Sequence, residues 1–313
     1  MPYPYDISEI NKRAVTDPAG FAQECEAIYN RKVMETAASI QERTALSHVV
    51  FLSGPSGSGK TTTAQKICDA ISKLGVHAHT ISMDRYYMGR DPETSPRTED
   101  GEYDLESPYC LDLDLLKEHI TMLERGDEAV IPHFCFVRQE RDLDKAVPLK
   151  LGKDEIVVFE GIHALNDMIA DESPDAYKLY ISARSDIVKE NNVFFKRTWT
   201  RLLRRVVRDS YFRGAGATDT LKMWANVRDG EKRYISPYKH KADLLFDSSM
   251  GYEVPIMKQY AIKEIKEVQE DTKRVTELRC ALASLSEFEQ IDSAVVPKDS
   301  ILREFIGGGV YER

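Results

Sequence analysis

The segment GPSGSGKTT, Gly54 to Thr62, satisfies the pattern GxxxxGK[ST] at every fixed position. It follows a short apolar run, HVVFLS, and precedes TTTAQKICDAISKLG, whose spacing predicts a helix stopped by Gly75. Strand, glycine-rich turn and helix in that order point to an α/β chain whose first core strand ends in a phosphate-binding loop (P-loop). Gly54, Pro55, Ser56, Gly57, Ser58 and Gly59 make the loop, and its glycines let backbone N–H groups converge on phosphate oxygens. Lys60 would neutralise β/γ charge and the Thr61 hydroxyl would hold Mg2+. Thr61 and Thr62 lie in the first turn of a helix whose N-terminus adds positive potential. The loop specifies a nucleotide but no reaction, since ATPases, GTPases, kinases and switch proteins all use it.

The alternation continues downstream. VHAHTISM, DEIVVFEG, AYKLYISA and ADLLFDSS read as further strands with helical stretches between most of them. The expected fold is therefore a P-loop NTPase-type parallel sheet flanked by helices. Residues 1–46 read as a helical N-terminal extension in which Phe21, Cys25, Ile28, Val33 and Met34 share a face. Residues 47–255 form the P-loop domain, with a turn-rich insert over residues 88–150 of the kind that builds sites at strand ends. Residues 256–313 supply a long helix and a tail ending DSILREFIGGGVYER. The sequence leaves open whether that tail mediates a homo-oligomer or packs on the core.

Composition narrows the partners. Of 313 residues 30% are charged and the net charge is -9, which disfavours nucleic acid or an acidic membrane as partner, so any bound anion has to meet a local basic patch. The five cysteines, at positions 25, 68, 110, 135 and 280, make no CxxC pair, which favours a reducing compartment, the cytoplasm, and argues against a zinc site. The start, MPYPYDISEINKR, does not read as an export signal, and no run of apolar residues is long enough to span a bilayer.

Two carboxylates fall at strand ends. Glu160 follows four apolar residues in EIVVFEGIHAL and would emerge beside the loop, where with Thr61 it can orient Mg2+; the alternative is an ion pair with a neighbouring lysine. Asp84 ends the second strand in SMDRYY; alone it would read as a turn residue or helix cap, and the strand before it brings it to the same sheet edge as Lys60, where a carboxylate could take the proton of an attacking alcohol if the chain has such an acceptor. The local basic patch is RTWTRLLRRVVRD, where Arg201, Arg204, Arg205 and Arg208 share a helix face and repel one another. An anion such as the phosphates of ATP would relieve them, as would acidic neighbours.

Taken in order, GPSGSGKTT, SMDRYY, TSPRTEDGEYDLESP, VIPHFCF, VVFEGIHAL and RLLRRVVRD resemble the uridine kinase/phosphoribulokinase family of P-loop kinases, most closely its bacterial uridine (nucleoside) kinases. The likeness covers residues 48–250, and PKDSILREFIGGG also resembles the end of that bacterial subgroup. It implies an ATP- and Mg2+-dependent phosphotransferase acting on the 5′-hydroxyl of a nucleoside, uridine or cytidine first, and usually a homo-oligomer. It implies Asp84 as catalytic base with Lys60 at the phosphates, and a lid over residues 197–220 that brings Arg204, Arg208 and Arg213 to the nucleotide. It also implies an acceptor pocket containing Glu106, Tyr87, Phe134, Phe136 and Arg141, although Phe134 and Phe136, two apart on one side of a strand, read equally well as core. The sequence departs from the family at Ala215 and Cys135, where arginine and aspartate are common, and Gln139 stands near the place of a histidine that reads the pyrimidine. These departures leave the base of the acceptor open. Arg138 and Arg141 keep a phosphorylated sugar in contention, pantothenate is another alcohol of the same superfamily, and a non-catalytic ATP sensor is the reading from a different class.

Overall fold

Val49–Ser53 is buried at every position, as a strand covered on both faces has to be. The computed structural model that places it describes residues 4–135, 138–265 and 275–311. Its principal elements are α1 (Ile7–Thr16), α2 (Pro18–Arg43), β1 (Val49–Ser53), α3 (Lys60–Lys73), β2 (His77–Ser82), α4 (Leu113–Glu124), β3 (Glu155–Glu160) and β4 (Tyr177–Ser182). They continue as α5 (Arg197–Phe212), α6 (Ala217–Gly230), β5 (Leu244–Asp247), α7 (Glu253–Ile265), α8 (Val275–Leu285) and α9 (Arg303–Ile306). The strands form one parallel sheet in the order β5-β4-β1-β3-β2. All five strands predicted from the sequence are present.

Register fixes the working edge. Glu160, the last residue of β3, stands level with Leu52 of β1 on one side and Ser82 of β2 on the other. The loop after β1, the carboxylate ending β3 and the turn after β2 therefore leave the same edge of the sheet, where ligands bind in open α/β folds.

Alternate residues of the strands feed two cores. Val50, Leu52, Ile156 and Val158 pack towards α2, α3, α5 and α7, while Phe51, Ile81, Val157 and Phe159 pack towards α4. The N-terminal helices belong to the first of these: Tyr29 of α2 shares a 2.6 Å hydrogen bond with Thr63 of α3 and meets Phe246 of β5 edge-on. The buried stripe of α2 runs Phe21, Ala22, Glu26, Tyr29, Val33, Thr36, Ala37 and Ile40. Ile28 and Met34, expected on that face, are exposed instead, because steps of three and four from Phe21 lead to Tyr29 and Val33 and rotate those two outward.

The insert after β2 contains α4 and two short antiparallel pairs, Ala129–Ile131 with Val147–Leu149 and Phe134–Cys135 with Glu140–Arg141. After Pro255 the sequence predicts one long helix; the described residues there form α7 and α8, and residues 266–274 lie outside the described residues. No helix among the described residues is long and apolar enough to cross a membrane.

Candidate active site

The P-loop takes its shape from backbone that only glycine tolerates. Gly57 and Gly59 have φ of 75° and 83°. A side chain on Gly54 would place its Cβ 2.1 Å from the carbonyl oxygen of Ile181, so the loop lies tight against the end of β4. Behind the loop, Arg204 of α5 is fully buried and donates to the carbonyls of Gly57, Ser58 and Ser248, while Glu253 of α7 accepts its Nε at 2.7 Å. Arg201 is held likewise, donating to Ser56 O and pairing through both terminal nitrogens with Glu231 at 3.0 and 2.9 Å.

The expectation that a bound anion relieves the arginine face is therefore corrected for Arg201 and Arg204. Two carboxylates far along the chain neutralise them, and both arginines brace the loop from the side away from its opening. Arg205 and Arg208 are arranged differently. Both pair with Asp209, at 3.2 and 2.7 Å, and Arg213 lies 3.8 Å from the same carboxylate, so three cations share one anion. Arg205 also donates to Ser56 Oγ of the loop at 2.8 Å. This surplus of positive charge is what an anionic ligand would meet.

Three ionisable groups converge at the sheet edge. Asp84 sits in the single 3-10 turn Met83–Tyr86, and its own amide N–H donates to the side chain of Ser82, the cap of that turn. Its carboxyl opens to solvent, but the surrounding protein raises its pKa, opposed by Lys60, Arg213 and Arg208. Glu160 is buried, and desolvation, only partly offset by Lys60, pushes it up to about 7. Burial lowers the Lys60 pKa while Glu160 and Asp84 oppose that shift. Thr61 Oγ1 lies 3.4 Å from Glu160 Oε1, so two hard oxygen donors face one another at the head of α3, a set suited to Mg2+.

A sequence model of the phosphoribulokinase/uridine kinase family matches residues 49–254, which span the loop, Asp84, Glu160 and the arginines of α5. The chain belongs to this family. Uridine kinase of Saccharomyces cerevisiae is 30% identical over 202 residues, covering 64% of this chain and 37% of the yeast protein. Uridine kinase of Halobacterium salinarum is 28% identical over 64% of this chain and 79% of its own length, and that of Staphylococcus haemolyticus 25% identical over 66% and 91%. The chain thus spans little more than a third of the yeast relative. A solved structure described as a fructose transport system kinase from Silicibacter sp. TM1040 superposes with a TM-score of 0.50 at 17% identity, covering 68% of this chain and 98% of that one. At that identity the likeness is one of fold.

Family-borne expectations for the acceptor side meet a cavity of 360 Å3 within the insert, whose lining includes Tyr87, Tyr103, Tyr109, Phe134 and Gln139. Tyr87 and Phe134 line it together, their rings 6.0 Å apart. Gln139 has φ 56°, in the left-handed region that a side-chain-bearing residue seldom adopts, so the hairpin turn holds it under local strain. Tyr86 belongs to the core, where its hydroxyl meets His119 Nδ1 at 3.0 Å. Phe136 lies outside the described residues.

Arg141 is not part of the cavity wall. Its guanidinium donates to Asp112, the cap of α4, at 2.7 Å, and Arg138 pairs with Glu140 and Asp142. Both arginines hold the insert together. Glu106 is partly buried against α6, and Gly230 there allows the approach, since a Cβ at that position would lie 2.3 Å from Glu106 Cβ. Desolvation lifts the Glu106 carboxyl to about 7, with Arg205 and Lys60 opposing and Asp104 and Asp84 adding to the shift.

Several residues of this site escape a sequence reading. Asp209 closes RTWTRLLRRVVRD and was not singled out there, although it lies one turn or less from Arg205, Arg208 and Arg213. Glu231, Glu253 and Gly230 act across the chain and have no local signature. His163, two residues beyond Gly161 in EGIHAL, is buried edge-on to Tyr234, and burial pushes its pKa down to about 3, so it is a neutral imidazole.

Proposed function

We propose that this protein transfers the γ-phosphoryl group of ATP to the 5′-hydroxyl of a nucleoside, with uridine or cytidine as the first candidates. The observation that carries the reading is the convergence of Asp84, Lys60 and Glu160 at one sheet edge, with a nucleoside-sized, aromatic-lined cavity beginning three residues beyond Asp84. The loop amides and Lys60 bind the donor phosphates, and Arg208 and Arg213 add charge at the lid. Mg2+ held by Thr61 and Glu160 would supply electrostatic stabilisation of the transferring group. Asp84 accepts the proton of the acceptor hydroxyl as its oxygen bonds to the γ-phosphorus and ADP leaves. Glu106 accepts hydrogen bonds from the ribose hydroxyls, and Tyr87 and Phe134 pack against the base.

A phosphorylated acceptor fits less well. Arg138 and Arg141, the cations that would welcome it, are already engaged by Glu140, Asp142 and Asp112. The test is a panel of nucleosides, sugar phosphates and pantothenate incubated with the protein and Mg·ATP while ADP release is followed, together with Asp84→Asn. We expect turnover with a pyrimidine nucleoside and a loss of about a hundredfold or more in Asp84→Asn at nearly unchanged Mg·ATP affinity. Absence of acceptor-dependent turnover would overturn the kinase reading, and turnover only with a sugar phosphate would replace the nucleoside.

A further inference from the structure

At the end of the sheet opposite Asp84, three metal-ligating side chains converge on one point. His77 and His79 are two apart on β2, so both project from the same face of this edge strand. Glu155, the first residue of β3, stands directly across from His77. His77 Nδ1 lies 3.1 Å from His79 Nε2, His79 Nε2 lies 3.3 Å from Glu155 Oε2, and Glu155 Oε1 lies 3.7 Å from His77 Nδ1. Glu155 Oε2 is steadied by the amide of Gly152 at 2.9 Å.

Hydrogen bonding does not exhaust this arrangement. A neutral His79 carries at most one proton on Nε2, and that proton can point to His77 or to Glu155 but not to both. A divalent ion serves all three groups at once. Zn2+ binds imidazole nitrogen and carboxylate oxygen at about 2.0–2.2 Å in tetrahedral geometry, which separates neighbouring donor atoms by about 3.3 Å, close to the spacings seen. We propose that His77, His79 and Glu155 form a binding site for a borderline divalent transition metal such as Zn2+, separate from the catalytic edge and open to water at the remaining coordination position. The absence of CxxC pairs speaks only against a thiolate site, and this one uses none.

The test is titration of the full chain with Zn2+ alone against a chromophoric chelator, and with Co2+ while the visible spectrum is recorded. One equivalent should bind, and His77→Ala and His79→Ala should each weaken it about tenfold or more. His77 is mostly exposed, so its variant should melt as the parent does in the presence of chelator, and Glu155→Gln provides a near-isosteric third variant. No stoichiometric binding, unchanged affinity in the variants, or a thiolate charge-transfer band with Co2+ would each overturn the site.

A second, independent observation concerns the C-terminal tail. Glu304 Oε2 accepts the backbone N–H of Thr62 at 3.2 Å, in the first turn of α3. The helix has no side-chain cap of its own, because Gly59 occupies the cap position. The tail is firmly seated: Ile301, Leu302 and Phe305 are fully buried, Ile301 packs on Gly59, and Asp299 pairs with Lys66 at 2.8 Å. An amide in the first turn of a P-loop helix is a donor that nucleotide phosphate uses. We infer that the Glu304 carboxylate is an internal anion competing with the donor nucleotide for the head of α3, and that it swings aside, the tail remaining in place, when nucleotide binds. This inference rests on the donor reading above.

Binding of ADP and ATP to the parent and to Glu304→Gln separates the two. The variant should bind nucleotide about fivefold more tightly, since a carboxylate facing phosphate is removed, while the nucleotide-free protein loses a little stability with its cap. Equal or weaker binding by the variant would overturn the competition alone. Absence of nucleotide binding by both proteins would overturn the donor reading itself.

Discussion

Arg204 Nε donates to Glu253 Oε2 at 2.7 Å with almost no solvent reaching either side chain. The pair joins α5 to α7 at the back of the P-loop, and the remaining guanidinium nitrogens reach the carbonyls of Gly57, Ser58 and Ser248. Burial pushes the Glu253 carboxyl up and Arg204 opposes that shift, so the guanidinium favours the ionised carboxylate. Removing one partner leaves the other uncompensated. Arg204→Met should lower unfolding stability by about 3–5 kcal/mol, and the double variant Arg204→Met, Glu253→Met should recover much of that loss. Denaturant unfolding of the four proteins checks the cycle. An additive double variant would show that the loop carbonyls, rather than the ion pair, carry the stabilisation.

The loop itself offers a sharper steric test. A methyl group on Gly54 would lie 2.1 Å from the backbone oxygen of Ile181, which cannot rotate out of the way. Gly54→Ala should therefore separate the loop from the end of β4, costing about 1–3 kcal/mol of stability and most of the nucleotide affinity. Thermal melts with and without Mg·ATP read both effects. Gly75, with open space around its Cβ but φ of 88°, is the control: alanine there strains the backbone without touching the loop.

Much of this arrangement could be read from the chain, and the parts that could not have a common cause. Strands such as VVFLS and EIVVFE carry local patterns, and a glycine-rich turn between strand and helix has one structural solution. Glu160 was legible because four apolar residues before it fix its place at the strand end. The neutralisation of Arg201 and Arg204 was not, because Glu231 and Glu253 lie 30 and 49 positions away and only the packing of α6 and α7 against α5 brings them near. Helical periodicity showed four like charges on one face; it carried no information about which anion relieves them. The stripe of α2 failed in a smaller way, since several faces of a long polar helix offer apolar residues and only the partner surface selects one.

Thr61 and Glu160 yield a metal prediction. Their oxygens are 3.4 Å apart, and the Glu160 carboxyl sits in surroundings that disfavour its charge. A bound divalent cation would favour the ionised form, so metal affinity and ionisation are linked. Glu160→Gln should raise the Mg2+ concentration needed for half-maximal turnover about tenfold or more, with a smaller change in stability. Turnover measured against Mg2+ at saturating ATP provides the check, and an unchanged midpoint would remove Glu160 from the metal site.

Glu106 supplies a pH signature distinct from that of Asp84. Desolvation raises it from a usual value of 4.5 to about 7, so the folded protein holds a proton there that the unfolded chain has released. Between those two values the folded state binds more protons, and the Glu106 contribution to stability falls as pH rises through that window. Acceptor affinity should move the other way if the acceptor is the proposed nucleoside, because the ionised carboxylate is the better partner for ribose hydroxyls. If ionised Glu106 is the form that binds, affinity for the acceptor should tighten about tenfold from pH 6 to pH 8, following the ionised fraction of a group titrating near 7. In Glu106→Gln that dependence should disappear while any pH dependence of turnover arising from Asp84 remains. Calorimetric acceptor binding across the pH range, without nucleotide, measures the first, and pre-steady-state transfer rates measure the second; an affinity that is flat with pH in the parent protein would place Glu106 outside the ribose contacts.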